Sequence, residues 1–539
     1  SPPLPSPPMF TVIAKAAAEE DQVPLLLSHV THPRDHVPLP SVQSRPLEPP
    51  ASPHGRLLPQ PATLPPHPTH HTRPNPRVVL QGLITMAGLR GVLCFCGVLG
   101  LLAVVGEVRT HEQGYTGGGF VRTRGAEFVL DVGHPFLFNG FNSYWMMHVA
   151  ADPGERQKVS DVFREAAAAG LRVCRTWAFS DGGDRALQMS PGVYDERVFQ
   201  GLDFVISEAR RYGIRLILSL SNNFKDFGGR QQYVQWARSA GVSINSDDDF
   251  YTNPVVKGYY KNHVKRVLTR LNTITKMVYK DDPTIMAWEL MNEPRCQADY
   301  SGRTVNSWAQ EMASYTKSMD SNHLLEVGME GFYGDSMPER KQYNPGYQVG
   351  TDFISTNLIR EIDFATIHAY PDRWLSGQSN GSQDSFVQRW MWSHWQDARA
   401  VLKKPLVFAE FGKSGKGHSN YTTGARNAYL DVVYGNISDL ARSGGAFAGG
   451  LVWQLMAEGM ESYYDGYEIV LSRDATTAGV IAGQSHLMAA LSHTTSIPPT
   501  QRRRAGHEQD TSACPPPQAA WGETRPPWGR TSMQGRSSW

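Results

Sequence analysis

Two carboxylates stand where apolar runs of this chain end. The first run, Thr284-Ile285-Met286-Ala287-Trp288-Glu289-Leu290-Met291, leads into Asn292-Glu293-Pro294. Pro294 has no amide hydrogen for a sheet ladder, so a strand must break there. The break leaves an amide and a carboxyl side by side. The second run, Pro405-Leu406-Val407-Phe408-Ala409, is followed by Glu410, Phe411 and Gly412. Two carboxyl groups at strand ends are what glycoside hydrolysis needs: one gives and takes a proton, the other is nucleophile or base.

The segments around these residues alternate between strand and helix. Strands are expected over 135–142, 171–177, 214–220, 284–293, 323–327, 363–370, 405–410 and 446–453. Helices are expected over 155–169, 197–212, 254–279, 304–319, 383–402 and 423–442. Gly170 and Gly213 stop the first two helices. The strands are apolar runs without period-two alternation, as in a parallel sheet covered on both faces. Eight such units close into an α/β fold, the (β/α)8 TIM barrel, with catalytic side chains at the C-terminal strand ends. Those ends carry Arg175, Trp177, Asn222, Asn223, Asn292, Glu293, His368, Tyr370, Glu410 and Trp453. One charged strand end reads equally well as a solvated loop start. The whole set on successive strands points to a site. A hairpin around 120–130 is expected to form a small lid.

Composition sets the domain limits. The chain has 539 residues, with 52 basic and 51 acidic side chains, and this near-neutral balance gives no reason to expect a nucleic-acid partner. Of its 37 prolines, 20 fall in residues 1–85 and 7 beyond residue 491. Residues 1–85 and 492–539 therefore read as disordered extensions around one catalytic domain at 107–491. Met86 to Gly106 has one arginine, an apolar stretch and small residues at its end. That pattern reads as a secretory signal peptide, with an extracellular, cell-wall location and no stable membrane association to follow. An uncleaved anchor is the alternative. Only Cys174 and Cys296 of the five cysteines belong to the globular part, too few for a disulfide framework.

The ordered motifs resemble a known family. Cys174-Arg175-Thr176-Trp177-Ala178-Phe179, Asp226-Phe227-Gly228-Gly229, Gln232-Tyr233-Val234-Gln235-Trp236-Ala237, His368-Ala369-Tyr370-Pro371-Asp372 and Val452-Trp453-Gln454-Leu455 accompany the two glutamate motifs. Over about residues 117–490 the chain is similar to the plant endo-β-1,4-mannanases of glycoside hydrolase family 5. The basic C-terminal helix expected of that family is not evident in the sequence. The resemblance implies a retaining enzyme that cuts internal linkages of mannan, glucomannan and galactomannan by double displacement. Glu293 would be acid/base and Glu410 the nucleophile. Arg175 would keep Glu410 ionised, Tyr370 would donate to it, and His368 would orient the acid/base side. Asn292 would contact the sugar 2-hydroxyl, while Trp177 and Trp453 would be platforms under pyranose rings. Trp145, Trp236, Trp374, Tyr463 and Tyr464 are candidates for a longer groove. An endo-β-glucanase and a silent carbohydrate-binding barrel are the competing readings.

No cofactor or metal is expected. Asp247-Asp248-Asp249 lacks the spacing of a calcium loop and reads as solvated. Three sequons begin at Asn380, Asn420 and Asn436. The first two are expected in loops and the third in a helix.

Overall fold

The computed structural model describes residues 119–130, 133–416 and 421–495. The proposed signal segment, both extensions beyond these limits and the sequon at Asn420 lie outside the described residues.

Eight parallel strands make the central sheet: β1 (Phe138–Asn142), β2 (Val173–Trp177), β3 (Arg215–Ser219), β4 (Ile285–Glu289), β5 (Leu324–Glu326), β6 (Ala365–Ala369), β7 (Leu406–Phe411) and β8 (Phe447–Val452). Ladders run from β6 through β7, β8, β1, β2, β3 and β4 to β5. Backbone and side-chain bonds span the remaining gap. Asp363 N donates to Leu325 O at 2.8 Å, and His368 N donates to Glu330 O at 2.9 Å. Thr366 Oγ1 donates to Glu326 Oε2 at 3.1 Å. The result is a nearly closed barrel, as the strand–helix alternation predicts.

The helices α1 (Arg156–Ala168), α2 (Glu196–Arg211), α3 (Pro254–Leu268), α4 (Arg303–Met319), α5 (Phe353–Asn357), α6 (Asn380–Asp397), α7 (Thr423–Arg442) and α8 (Ala475–Thr495) follow the strands in turn. Their starts are capped by sequence. Asp195 accepts from Arg197 N before α2, and Asn253 accepts from Val255 N and Val256 N before α3. Gly170 and Gly213 take φ of 75° and 69° just past α1 and α2, as the stop signals require.

Four expectations are corrected, the last at the sequon of Asn380. The third helix ends at Leu268, not 279. Asn272 Oδ1 accepts from Ile274 N and Thr275 N, turning the chain into a short antiparallel bridge between Leu271 and Val278. Buried Asp203 fixes that turn through Arg270, Thr273 and Tyr279. The Asp247–Asp249 run is not simply solvated. Asp248 is buried, pairs with Arg230 at 2.9 Å and accepts from Ala298 N at 2.7 Å. The early hairpin, Arg122–Arg124 with Glu127–Val129, is no lid over the site. It lies at the opposite end of the barrel, where Arg215 at the start of β3 donates to Gly119 O. Phe128 packs edge-on to Phe364 beside the start of β6. There Val121, Phe128, Phe138, Val173, Ile217, Leu324, Phe364, Val407 and Leu451 form an apolar plug inside the strands.

The eighth helix is present after all, without basic character. Asn139 on β1 donates to Ile481 O and Ser485 Oγ, and Ser438 on α7 donates to Gln484 Oε1. Ile481 and Met488 are fully buried against the sheet. Asn380 opens α6 and is exposed, where a loop was expected. Asn436 lies within α7 and donates to Val432 O. Among the described residues no helix is long and apolar enough to cross a membrane.

Removing a buried aliphatic side chain leaves a cavity as well as losing burial. Ile481→Ala is therefore expected to destabilise the barrel by about 2–4 kcal/mol, read as a lower urea midpoint at unchanged slope.

Candidate active site

The charged layer of the barrel sits above the apolar plug. Arg175 projects from the middle of β2 into it and is fully buried. All five of its N–H groups are used. Nε and Nη2 hold the two oxygens of Glu289 at the end of β4. Nη2 also donates to Asn292 Oδ1 at 2.7 Å, and Nη1 donates to Asn142 Oδ1 at 3.1 Å and to Glu410 Oε1 at 2.5 Å. A planar guanidinium suits this fork geometry and an ammonium does not.

Glu410 near the end of β7 takes its second donor from Tyr370, whose hydroxyl reaches Oε2 at 2.5 Å. Glu293 lies just past β4 and is set by local backbone. Its φ is 48°, the left-handed region that a side chain other than glycine occupies at a cost. Its N–H donates to Gly328 O at 2.8 Å, which holds the turn. His368 Nδ1 lies 2.7 Å from Glu293 Oε1 and 3.7 Å from Glu410 Oε2. One donor atom from each of Glu293, His368 and Glu410 lies within 4.8 Å of the other two.

Burial sets the electrostatics. It pushes the carboxyls of Glu293 and Glu410 above their ordinary range. Arg295 and Arg175 oppose the shift at Glu293, while Arg175 and the Tyr370 hydroxyl oppose it at Glu410. Burial also lowers His368, so its imidazole is the neutral partner of Glu293. Arg175 is kept charged despite its burial by Glu289 and Glu410. The spacing of Glu293, His368 and Glu410 is one a metal could bridge, but both Glu410 oxygens already accept from donors. A divalent cation there would also stand against the Arg175 charge. The set is suited instead to moving a proton beside a fixed carboxylate.

All eight residues singled out from the sequence as site residues belong to this end of the barrel. Trp453 follows β8, is half buried, donates from Nε1 to Asp465 Oδ2 at 2.7 Å, and stacks on Tyr144 at 5.8 Å. Trp177 is only 5% exposed and lies behind that pair, 6.2 Å from each ring, with the Arg175 guanidinium 5.0 Å over it. It gives the site more wall than open face. Asn222 and Asn223 hold the loop: Asn222 Oδ1 accepts from Asn292 Nδ2 at 3.0 Å, and Asn223 Oδ1 accepts from Arg230 and Arg295 N. Trp145 is fully buried and donates to Leu455 O, so it is packing and not groove lining. Trp374 packs on Phe332 and Trp390, and Trp236 on Tyr233. Tyr463 is half buried beside His148, and Tyr464 is likewise partly exposed.

Sequence reasoning missed Asn142, Tyr144, Glu289, Glu326 and Asp465. Glu289 and Glu326 carried a signal, because an acid inside an apolar strand requires a buried partner. Gly328 is a further hidden requirement. Its φ is 93°, and a Cβ there would meet Met291 O at 1.8 Å and the Glu289 carboxyl carbon at 3.1 Å. Gly328→Ala is expected to cost about 3 kcal/mol or more, measured by thermal unfolding, and to lower activity in whatever fraction folds.

Comparison with known proteins agrees with this arrangement. Residues 118–462 match the family model described as GH family 5 beta-mannosidase-like. The chain is 67% identical over 391 residues to mannan endo-1,4-beta-mannosidase 5 of Solanum lycopersicum, covering 72% of this chain and 94% of that one. It is 60% identical over 400 residues to mannan endo-1,4-beta-mannosidase 1 of Oryza sativa subsp. japonica, covering 73% and 92%. The solved endo-beta-1,4-mannanase from Thermotoga petrophila superposes with a TM-score of 0.56 at 32% identity, covering 66% of this chain and 77% of that chain. A barrel with this buried pair of glutamates at its C-terminal mouth, matched over most of its described length, is a hydrolase of O-glycosidic bonds, and the chain belongs to glycoside hydrolase family 5.

Proposed function

We propose that this chain is a retaining endo-β-mannanase that cleaves internal β-1,4-mannosidic linkages of mannan, glucomannan and galactomannan by double displacement. The separation of the two carboxyls, within 4.8 Å between facing atoms, carries the mechanistic part of this reading. Retaining enzymes hold their carboxyls about 5–5.5 Å apart, too close for a water to sit between them and the sugar as inversion requires. The names of the relatives carry the substrate class.

In the first step Glu410 attacks the anomeric carbon while the glycosidic bond breaks. Glu293 delivers its proton to the departing oxygen. Burial favours the protonated form of Glu293, which leaves it a proton to give. Once Glu410 is esterified its negative charge is gone, and Glu293 becomes easier to ionise. It then takes a proton from the water that opens the ester. Arg175 and Tyr370 serve the nucleophile by favouring its ionised form. The Asn292 amide is fixed by Arg175 on its oxygen side and by Asn222 on its nitrogen side. Its remaining N–H is the donor for the sugar 2-hydroxyl, which is axial in mannose. Trp453 supplies the flat face for a pyranose ring, its tilt set by Asp465 and Tyr144. Export to the cell wall belongs to the same proposal, on the signal-like sequence of residues 86–106.

Reducing-end release from unbranched mannan, glucomannan and carboxymethylcellulose separates the substrate readings. Mannan and glucomannan should be cut and cellulose spared; cleavage of cellulose alone would instead make the chain a glucanase. Glu410→Ala is expected to abolish release, and Glu293→Ala to slow it about 10²–10⁴-fold. Tyr370→Phe deletes a donor that favours ionised Glu410. The acidic limb of kcat/KM, where Glu410 must lose its proton, should therefore move upward by about one pH unit.

A further inference from the structure

Beneath the catalytic pair lies a third carboxyl that the reaction does not use. Glu326, on β5, is fully buried. Its Oε2 accepts from Thr366 Oγ1 at 3.1 Å and from Gly328 N, and no donor reaches its Oε1. Glu326 is the ladder partner of Glu289 across β4 and β5, which sets the two buried carboxyls side by side. Two carboxylates offer only acceptors to each other, so this contact requires a proton between them. The oxygen left to carry it is Glu326 Oε1. The neighbouring charge demands the same. Arg175 is one cation facing Glu289 and Glu410, and a third anion in this dry layer would have no counter-charge.

We propose that Glu289 and Glu326 hold one proton between their carboxyl groups and, through Arg175, set how much of that cation's charge reaches Glu410. Both are positioning residues, and the inference rests on Glu410 being the nucleophile. Glu289 stays ionised on the bidentate face of Arg175, while Glu326 stays neutral. Arg175 is thus shared between two anions. Glu410 is steadied as a carboxylate but is not so strongly neutralised that it loses nucleophilicity. The other groups facing Glu410 are His368, Tyr370 and Glu293; Tyr260, His368 and Glu293 face the lower pair. Close approach of the β5 loop makes the pairing feasible, since Gly328 presents its bare backbone to the Glu289 carboxyl.

The test combines infrared difference spectra with pH profiles of the full chain. Beside the protonated carboxyls of Glu293 and Asp181, which both proteins keep, the folded protein should show one further protonated-carboxyl band that persists above the ordinary carboxylate range and disappears in the difference spectrum with Glu326→Gln. That variant keeps the charge and the donor, so the acidic limb of kcat/KM should stay in place. Glu289→Gln in the Glu326→Gln background leaves Arg175 with Glu410 alone, and the limb should move downward by about one pH unit. A band untouched by Glu326→Gln, or an unmoved limb in the double variant, overturns the proposal. Should the double variant fail to fold, Glu326→Gln decides alone: a lost band with the limb in place supports the proposal, and a displaced limb overturns it. Mass-spectrometric trapping of a fluorinated glycosyl group on Glu410 is read separately. Label on another residue would refute the nucleophile and leave the proton assignment standing.

Discussion

A single guanidinium, stripped of water, has to satisfy five acceptors at once. Arg175 meets them from β1, β4, the turn after β4 and β7, so it fixes the relative position of four parts of the barrel. Each bond is charge-assisted or made by a charged donor, and such bonds are worth more than neutral ones in a dry interior. Loss of any acceptor would leave a buried N–H unpaired. The same constraint explains why the neighbours are polar on strands that are otherwise apolar. Asn142, Glu289, Asn292 and Glu410 are the acceptors this cation requires.

Burial works on Glu293 and Glu410 in the same direction, so environment alone does not separate the roles proposed for them. The separation comes from their partners. Glu410 is held by a permanent cation and a phenol, both of which favour its anion. Glu293 is held by a neutral imidazole, which tolerates either protonation state. A left-handed backbone at Glu293 aims its carboxyl toward this partner. The geometry of one turn and the identity of three neighbours thus divide two chemically equal side chains.

The strand ends were legible because an apolar run closing on a polar residue leaves a strong local trace. Glu293 and Glu410 could be read that way, and so could His368 and Tyr370. Their shared neighbour Glu289 could be seen as an oddity, but nothing in the sequence named Glu326 as its companion, because the two lie on different strands. The ladder between β4 and β5 that joins them is long-range information. The last helix was missed for a different reason. Ala475 to Thr495 is rich in small and β-branched residues, and its apolar positions run nearly all round it. The third helix was read too long because Arg270 to Tyr279 contains residues that tolerate a helix. Asp203, far away in sequence, ties that segment into a turn instead.

The apolar plug and the hairpin beneath it close the lower end of the barrel with packed aromatic and aliphatic side chains. Traffic is therefore one-ended. On the proposed two-step mechanism the attacking water and the departing saccharide use the same mouth, so the two halves of a turnover occur in a forced order. In the double displacement proposed above, the first fragment has to clear that doorway before the ester on Glu410 becomes reachable. Occupancy of the doorway, and not only the chemistry at the ester, then governs how long the intermediate lasts.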